Sequence, residues 1–132
     1  MPTSGIWQMA AGKRRELVWF LYPDEATPCT VDGAPFLRLA LRIDRETLGR
    51  FTGLVVADAD ETTEVYWVDI DGTAVWSGSV FPGDGEVLEA PRPVFVHPGS
   101  VVLITLRGRF ARVLFIVEKA EPVRLPQKEQ RG

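Results

Sequence analysis

Apolar residues recur at every second position through most of this chain, the spacing of a pleated strand with one buried face. In FLRLALRI (36–43), Leu37, Leu39, Leu41 and Ile43 fall on one face and Phe36, Arg38, Ala40 and Arg42 on the other. RELVWFLY (15–22) is β-branched and aromatic and stops at Pro23, while GLVVADA (53–59) reads as a short buried strand. EVYWVDI and TAVWSGSV flank Asp71-Gly72, a two-residue hairpin signal that requires positive φ at both central positions. PGDG (82–85) predicts a second turn, followed by a short strand EVLEA (86–90) before Pro91 and Pro93, and a brief VFV (94–96) ending at HPGS. VVLITLR (101–107) and RFARVLFIV (109–117) pair around Gly108 as a closing hairpin. Only DRETLGRF (44–51) reads as a helical turn, with Asp44 as its N-cap.

Strands about ten residues apart without crossover helices predict an all-β fold: a single antiparallel β-sandwich, jelly-roll-like, with about eight strands. The sandwich is expected over residues 15–120, between an N-terminal arm (1–14) and a C-terminal tail (121–132) that are polar and unpatterned. Within the N-terminal arm, Ile6, Trp7 and Met9 are large apolar groups with no periodic strand to belong to. They fold back on their own sandwich or meet a neighbouring molecule.

The hairpin sets up a specific expectation. If Asp71-Gly72 closes a two-residue loop, Ile70 faces Thr73, Val68 faces Val75, Tyr66 faces Ser77 and Trp67 faces Trp76. Three uses of such a tryptophan pair stay open: core packing, contact with another protein, or a stacking platform for a sugar ring.

Composition narrows the choices. At 132 residues with 45% hydrophobic and 25% charged, the chain suits one globular domain. A net charge of -3 with scattered arginines argues against nucleic acid as a partner, although Lys13-Arg14-Arg15 is a local basic cluster. The longest apolar run, VLFIV at 113–117, is too short to span a bilayer, and no signal peptide is recognisable. The absence of Asn, with 12 Arg against 3 Lys, fits a GC-rich genome or a thermophile.

Catalytic chemistry finds few residues to use. His97 is the single histidine, and a Ser-His-Asp arrangement would need it beside Ser77, Ser79 or Ser100 without any G-x-S-x-G elbow. Cys29 is alone, which excludes an internal disulfide and a thiolate metal cluster. DADETTE (58–64) and DIDG (69–72) resemble pieces of a calcium loop, but acidic turns explain both, Asp71 and Asp84 each standing beside a glycine. No phosphate loop precedes a helix. No catalytic residue, metal or cofactor is therefore expected.

The stretch from Gly53 to Glu121 resembles small β-sandwich virion proteins of tailed bacteriophages. The likeness lies in the order of its turns: a buried strand, a hairpin with a D-G turn, PGDGE, then PGS before two closing strands. It implies a non-enzymatic structural subunit of head-decoration, neck or tail-accessory type, located in the virion. Such a subunit is expected to be a homo-oligomer and to bind a major capsid or tail protein. Ile6, Trp7, Met9, Trp67 and Trp76 are the candidate interface residues. The alternative is a sandwich module that binds carbohydrate or a calcium-dependent ligand through Trp67, Trp76 and nearby carboxylates.

Overall fold

The computed structural model describes residues 7–11, 14–44 and 48–120. Ten strands cover them: β1 (Trp7–Ala11), β2 (Arg14–Leu21), β3 (Thr27–Val31), β4 (Ala34–Arg42), β5 (Gly49–Ala57), β6 (Glu64–Ile70), β7 (Thr73–Val80), β8 (Val87–Val96), β9 (Val101–Arg107) and β10 (Arg112–Lys119). A single 3-10 turn at Pro23–Glu25 follows β2. The strands form two five-stranded antiparallel sheets, ordered β1-β2-β10-β5-β8 and β3-β4-β9-β6-β7. Removing β1 and β3 leaves two four-stranded sheets, β2-β10-β5-β8 and β4-β9-β6-β7, in which successive strands change layer in the jelly-roll manner except at the β6–β7 hairpin. The expected β-sandwich is what the chain forms.

Alternation drives the core. Leu39, Leu41 and Ile43 from β4 and the residue after it meet Val102, Ile104 and Leu106 of β9, all almost fully buried. Opposite them, Val113, Phe115 and Val117 of β10 and Leu54 and Val56 of β5 close the sandwich. The Phe51 and Phe115 rings stack at 4.6 Å, and Trp19 meets Phe115 edge-on at 6.3 Å. Trp76 reaches across from the second sheet and abuts Phe51 at 5.9 Å with its plane turned by 88°. This aromatic cluster joins the layers by area burial and ring geometry together.

Five expectations need correction. The closing hairpin expected around Gly108 does not form: β9 pairs with β4 and β6 in one sheet and β10 with β2 and β5 in the other, so the turn at Gly108 carries the chain between layers. Part of the predicted N-terminal arm is an element of the sandwich: Trp7 lies in register with Val18 and Met9 with Glu16, so residues 7–11 form an edge strand on their own chain. A strand was missed at Thr27–Val31, where Asp32 (φ 50) and Gly33 (φ 80) close a hairpin to β4. EVLEA and VFV are one strand, β8, rather than two. The predicted helical turn over 44–51 is overwritten at its end by β5, which begins at Gly49; residues 45–47 lie outside the described residues.

β8 survives two prolines because it is an edge strand whose ladder is interrupted. Val94–Val96 pair with Gly49–Phe51 and Val87–Glu89 pair with Gly53–Val55. Residues 90–93 thus oppose Thr52 alone and arch away, so the missing N–H groups of Pro91 and Pro93 leave no ladder bond unmade.

Candidate functional site

The tryptophan pair expected on the β6–β7 hairpin does not form. Ile70 pairs with Thr73 and Asp69 with Ala74, as a two-residue turn requires, but Val68 then pairs with Trp76 and Trp67 with Ser77. Val75 is one extra residue in β7, a bulge that shifts the pairs at Val68 and Trp67 by one position, and a second irregularity follows before Val65 pairs with Val80. Trp76 is turned into the core against Phe51, while half-buried Trp67 lies on the outer face, in register with Thr105 of β9. The two rings sit on opposite faces, so the shared platform proposed for a sugar is absent. Among the other interface candidates, Trp7 and Met9 are placed only as backbone in β1, and Ile6 lies outside the described residues.

The acidic turns are occupied by backbone donors. Asp60 Oδ1 accepts from the Thr62 N–H at 2.8 Å and from its hydroxyl at 2.6 Å. Asp69 Oδ1 accepts from the Gly72 N–H at 2.9 Å, and Asp84 Oδ1 from the Asp58 N–H at 2.7 Å. Among the described residues no group of three or more His, Cys, Asp or Glu is placed to hold a metal ion.

Asp71 does more than form its turn. Ser100, fully buried, donates its hydroxyl to Asp71 Oδ2 at 2.8 Å, and the Val101 N–H donates to Oδ1 at 2.9 Å. His97 Nε2 stands 3.7 Å from Oδ2, while the Ser100 hydroxyl accepts from the His97 backbone N–H at 3.0 Å. Serine, histidine and aspartate thus meet, but in the wrong order for acyl transfer. A nucleophile must donate to histidine, and here the hydroxyl is sealed from solvent and its hydrogen bond is donated to the carboxylate. The cluster clamps the β6–β7 turn to the start of β9.

The Val101 N–H, the Ser100 hydroxyl and the nearby His97 together hold the Asp71 carboxyl below its ordinary value against the opposing effect of burial. A carboxylate so depressed adds stability above its unfolded pKa and loses it as pH falls through the folded one. Asp71→Asn keeps a residue that tolerates positive φ and is expected to cost about 1 kcal/mol at neutral pH in urea titrations. That difference should shrink as pH falls below about 4, where the unfolded chain takes up a proton that the folded carboxylate still resists. A difference unchanged down to pH 2 would show that Asp71 acts through its shape alone.

On the outer face of the second sheet a buried carboxylate is held by two partners. Glu64, with a side chain 7% exposed, accepts from Arg107 Nε at 2.8 Å and from the Ser79 hydroxyl. The Arg107 guanidinium lies 4.6 Å over the Phe36 ring, which Tyr66 covers from the side at 5.5 Å. Phe36 is therefore buried although it belongs to the outward face of β4.

The strongest candidate for an interaction surface is the β8 rim. Six large apolar side chains are exposed among the described residues, and two of them, Phe95 (67%) and Val87 (51%), belong to β8. Phe95 lies in register with Arg50, and Leu48 stands two positions before Arg50 in the same outward alternation. Between Phe95 and Val87 the 90–93 arch overhangs a recess of about 490 Å³, lined by Arg50, Thr52, Glu89, Pro91, Pro93 and Ile116, among others. Sequence reading passes over this rim because VFV reads only as a brief strand separate from EVLEA. The signal that marks it is the pair of prolines, which identify an edge.

No family model and no curated protein matches the chain. A solved structure similar in chain path is that of an exo-beta-1,3-galactanase from Phanerochaete chrysosporium with galactose, at 14% identity and a TM-score of 0.34. The likeness covers 89% of this chain and 30% of that enzyme, and at these values it bears on neither fold nor function.

Proposed function

We propose that this protein is a non-enzymatic structural subunit that works by binding copies of itself and a larger protein shell. The jelly-roll-like virion proteins of tailed phages, in head-decoration, neck or tail-accessory positions, are the class it fits. The observation that carries the reading is the β8 rim, where the exposed side chains of Val87 and Phe95 flank an open recess. Solvated apolar groups gathered in one patch are costly, and covering them by another protein removes that cost. The meeting of Ser100, Asp71 and His97 supports the same direction, since each polar atom there already serves the fold.

Mass spectrometry of gradient-purified particles from the phage that encodes the chain tests the reading. Peptides of this protein are expected in fixed proportion to the major capsid or tail protein. Particles that lack it altogether would overturn the assignment.

A further inference from the structure

We propose that His97 is a proton-operated latch on the β6–β7 turn: the charged imidazole fastens to Asp71, and the neutral ring lets it go. The way the ring is held carries the proposal. His97 Nδ1 lies 3.0 Å from the Pro98 carbonyl oxygen, and a carbonyl can only accept, so this nitrogen bears the hydrogen of the neutral ring. Nε2 is then left with its lone pair, and it stands 3.7 Å from Asp71 Oδ2. Two acceptors face each other until a proton arrives on Nε2, which turns the same approach into an ion pair. Water can deliver that proton, because the His97 side chain is 60% exposed.

The carboxylate is a fixed target. The Ser100 hydroxyl and the Val101 N–H hold its two oxygens, and the same hydroxyl accepts from the His97 backbone N–H. Ring and carboxylate therefore hang on one buried serine. Other charged groups approach this corner without meeting the ring. Asp69 accepts from the Gly72 N–H, Arg42 lies in register with Val101, and Asp44 follows Ile43 at the end of β4. Among the described residues Asp71 is the one carboxylate within ion-pair distance of His97. A metal ion is the competing occupant of the gap, but the pair offers two ligands where such ions take at least three from a protein.

The latch acts on a junction of three segments. The Asp71 N–H donates to the Val101 carbonyl at 2.9 Å, the Gly99 N–H to Ile43 at 2.7 Å and the Ile43 N–H to Ser100 at 2.8 Å. Stability added by the ion pair is present while the imidazole is charged and is lost as pH rises through the range in which imidazoles titrate. Its lower limit is set by Asp71, whose carboxyl stays ionised below the ordinary range and so keeps the target charged in mild acid.

Amide hydrogen exchange of the full chain, followed by NMR at about pH 5 and pH 8, reads the junction. His97→Asn is the reference, since its amide keeps a donor for Pro98 and carries no charge. Relative to it, opening at the Asp71, Ser100 and Val101 amides should become roughly threefold rarer from pH 8 to pH 5, the size of an exposed ion pair. Asp71→Asn should abolish that dependence. Nitrogen shifts of the wild-type ring at pH 8 should place its hydrogen on Nδ1. A neutral ring with its hydrogen on Nε2 would overturn the proposal, because the bond to Asp71 would then persist at either pH. So would a ratio to His97→Asn that is the same at both pH values, or a pH dependence that survives Asp71→Asn.

Discussion

Gly108→Ala is expected to lower the unfolding free energy by about 4 kcal/mol in urea titrations, whereas Gly33→Ala lowers it by about 1 kcal/mol. Both glycines turn the chain at positive φ, +97° for Gly108 between β9 and β10 in opposite sheets and +80° for Gly33 in the β3–β4 hairpin, so both substitutions incur the left-handed cost of a side chain. Only one of them also meets an obstacle. A Cβ on Gly33 finds nothing within 4 Å, while one on Gly108 would lie 2.3 Å from the Thr62 carbonyl oxygen and 2.6 Å from Thr63 Cα. That obstacle is backbone, and it is pinned. Thr63 is fully buried, its hydroxyl donates to the Arg109 carbonyl, and it accepts from the Asp60 N–H at 3.0 Å. A loss of about 4 kcal/mol would be a large part of the 5–15 kcal/mol typical of a domain. Equal costs at the two glycines would show that the 58–63 loop gives way freely, contrary to its hydrogen bonding.

The sandwich was legible because most of its strands bury one face, and the buried face imposes a period of two. β4 and β10 show this plainly, with inward Leu39 and Leu41 in one and Val113, Phe115 and Val117 in the other. The strands that escaped notice lack that constraint. β3, TPCTV, is mostly exposed, so no apolar alternation marks it, although the Asp32-Gly33 turn beside it follows the same rule as Asp71-Gly72. β1 is held by backbone pairing along an edge, and backbone pairing leaves no mark on a side-chain pattern. β8 was cut in two at its prolines, since a continuous ladder forbids them; an arched ladder does not.

The site was less legible for a related reason. Placing Trp67 opposite Trp76 assumed an unbroken register from the turn outward, and one extra residue, Val75, sent the two rings to opposite faces. Nothing in TAVWSGSV announces a bulge there. The Asp71–Ser100 contact joins residues 29 positions apart, and the rim brings Phe95 of β8 beside Arg50 of β5. Such groupings follow from which strands become neighbours, which a local pattern does not contain.

Arg107→Ala is the second substitution with a large expected effect, about 3 kcal/mol at neutral pH. Its size comes from what it leaves behind. Glu64 is nearly sealed from solvent, and the Ser79 hydroxyl and Arg107 together hold its carboxyl below the ordinary range while burial pushes it upward. Removing the guanidinium keeps the burial and discards one of the two opposing influences, so the carboxyl should rise. Loss of the cation over the Phe36 ring adds a smaller cost. The pH dependence separates the two contributions. In the wild type, the depressed Glu64 contributes stability above its unfolded pKa and loses it on acidification. In the variant the Ser79 hydroxyl still opposes burial, so the depression is smaller and less stability should be lost on acidification than in the wild type. Unfolding free energies of the two proteins should therefore converge as pH falls. The double variant Glu64→Gln/Arg107→Ala carries no buried charge and should be more stable at neutral pH than Arg107→Ala alone. If the gap between wild type and Arg107→Ala stays constant with pH, the arginine acts as a cover for Phe36, and the ion pair with Glu64 is incidental to stability.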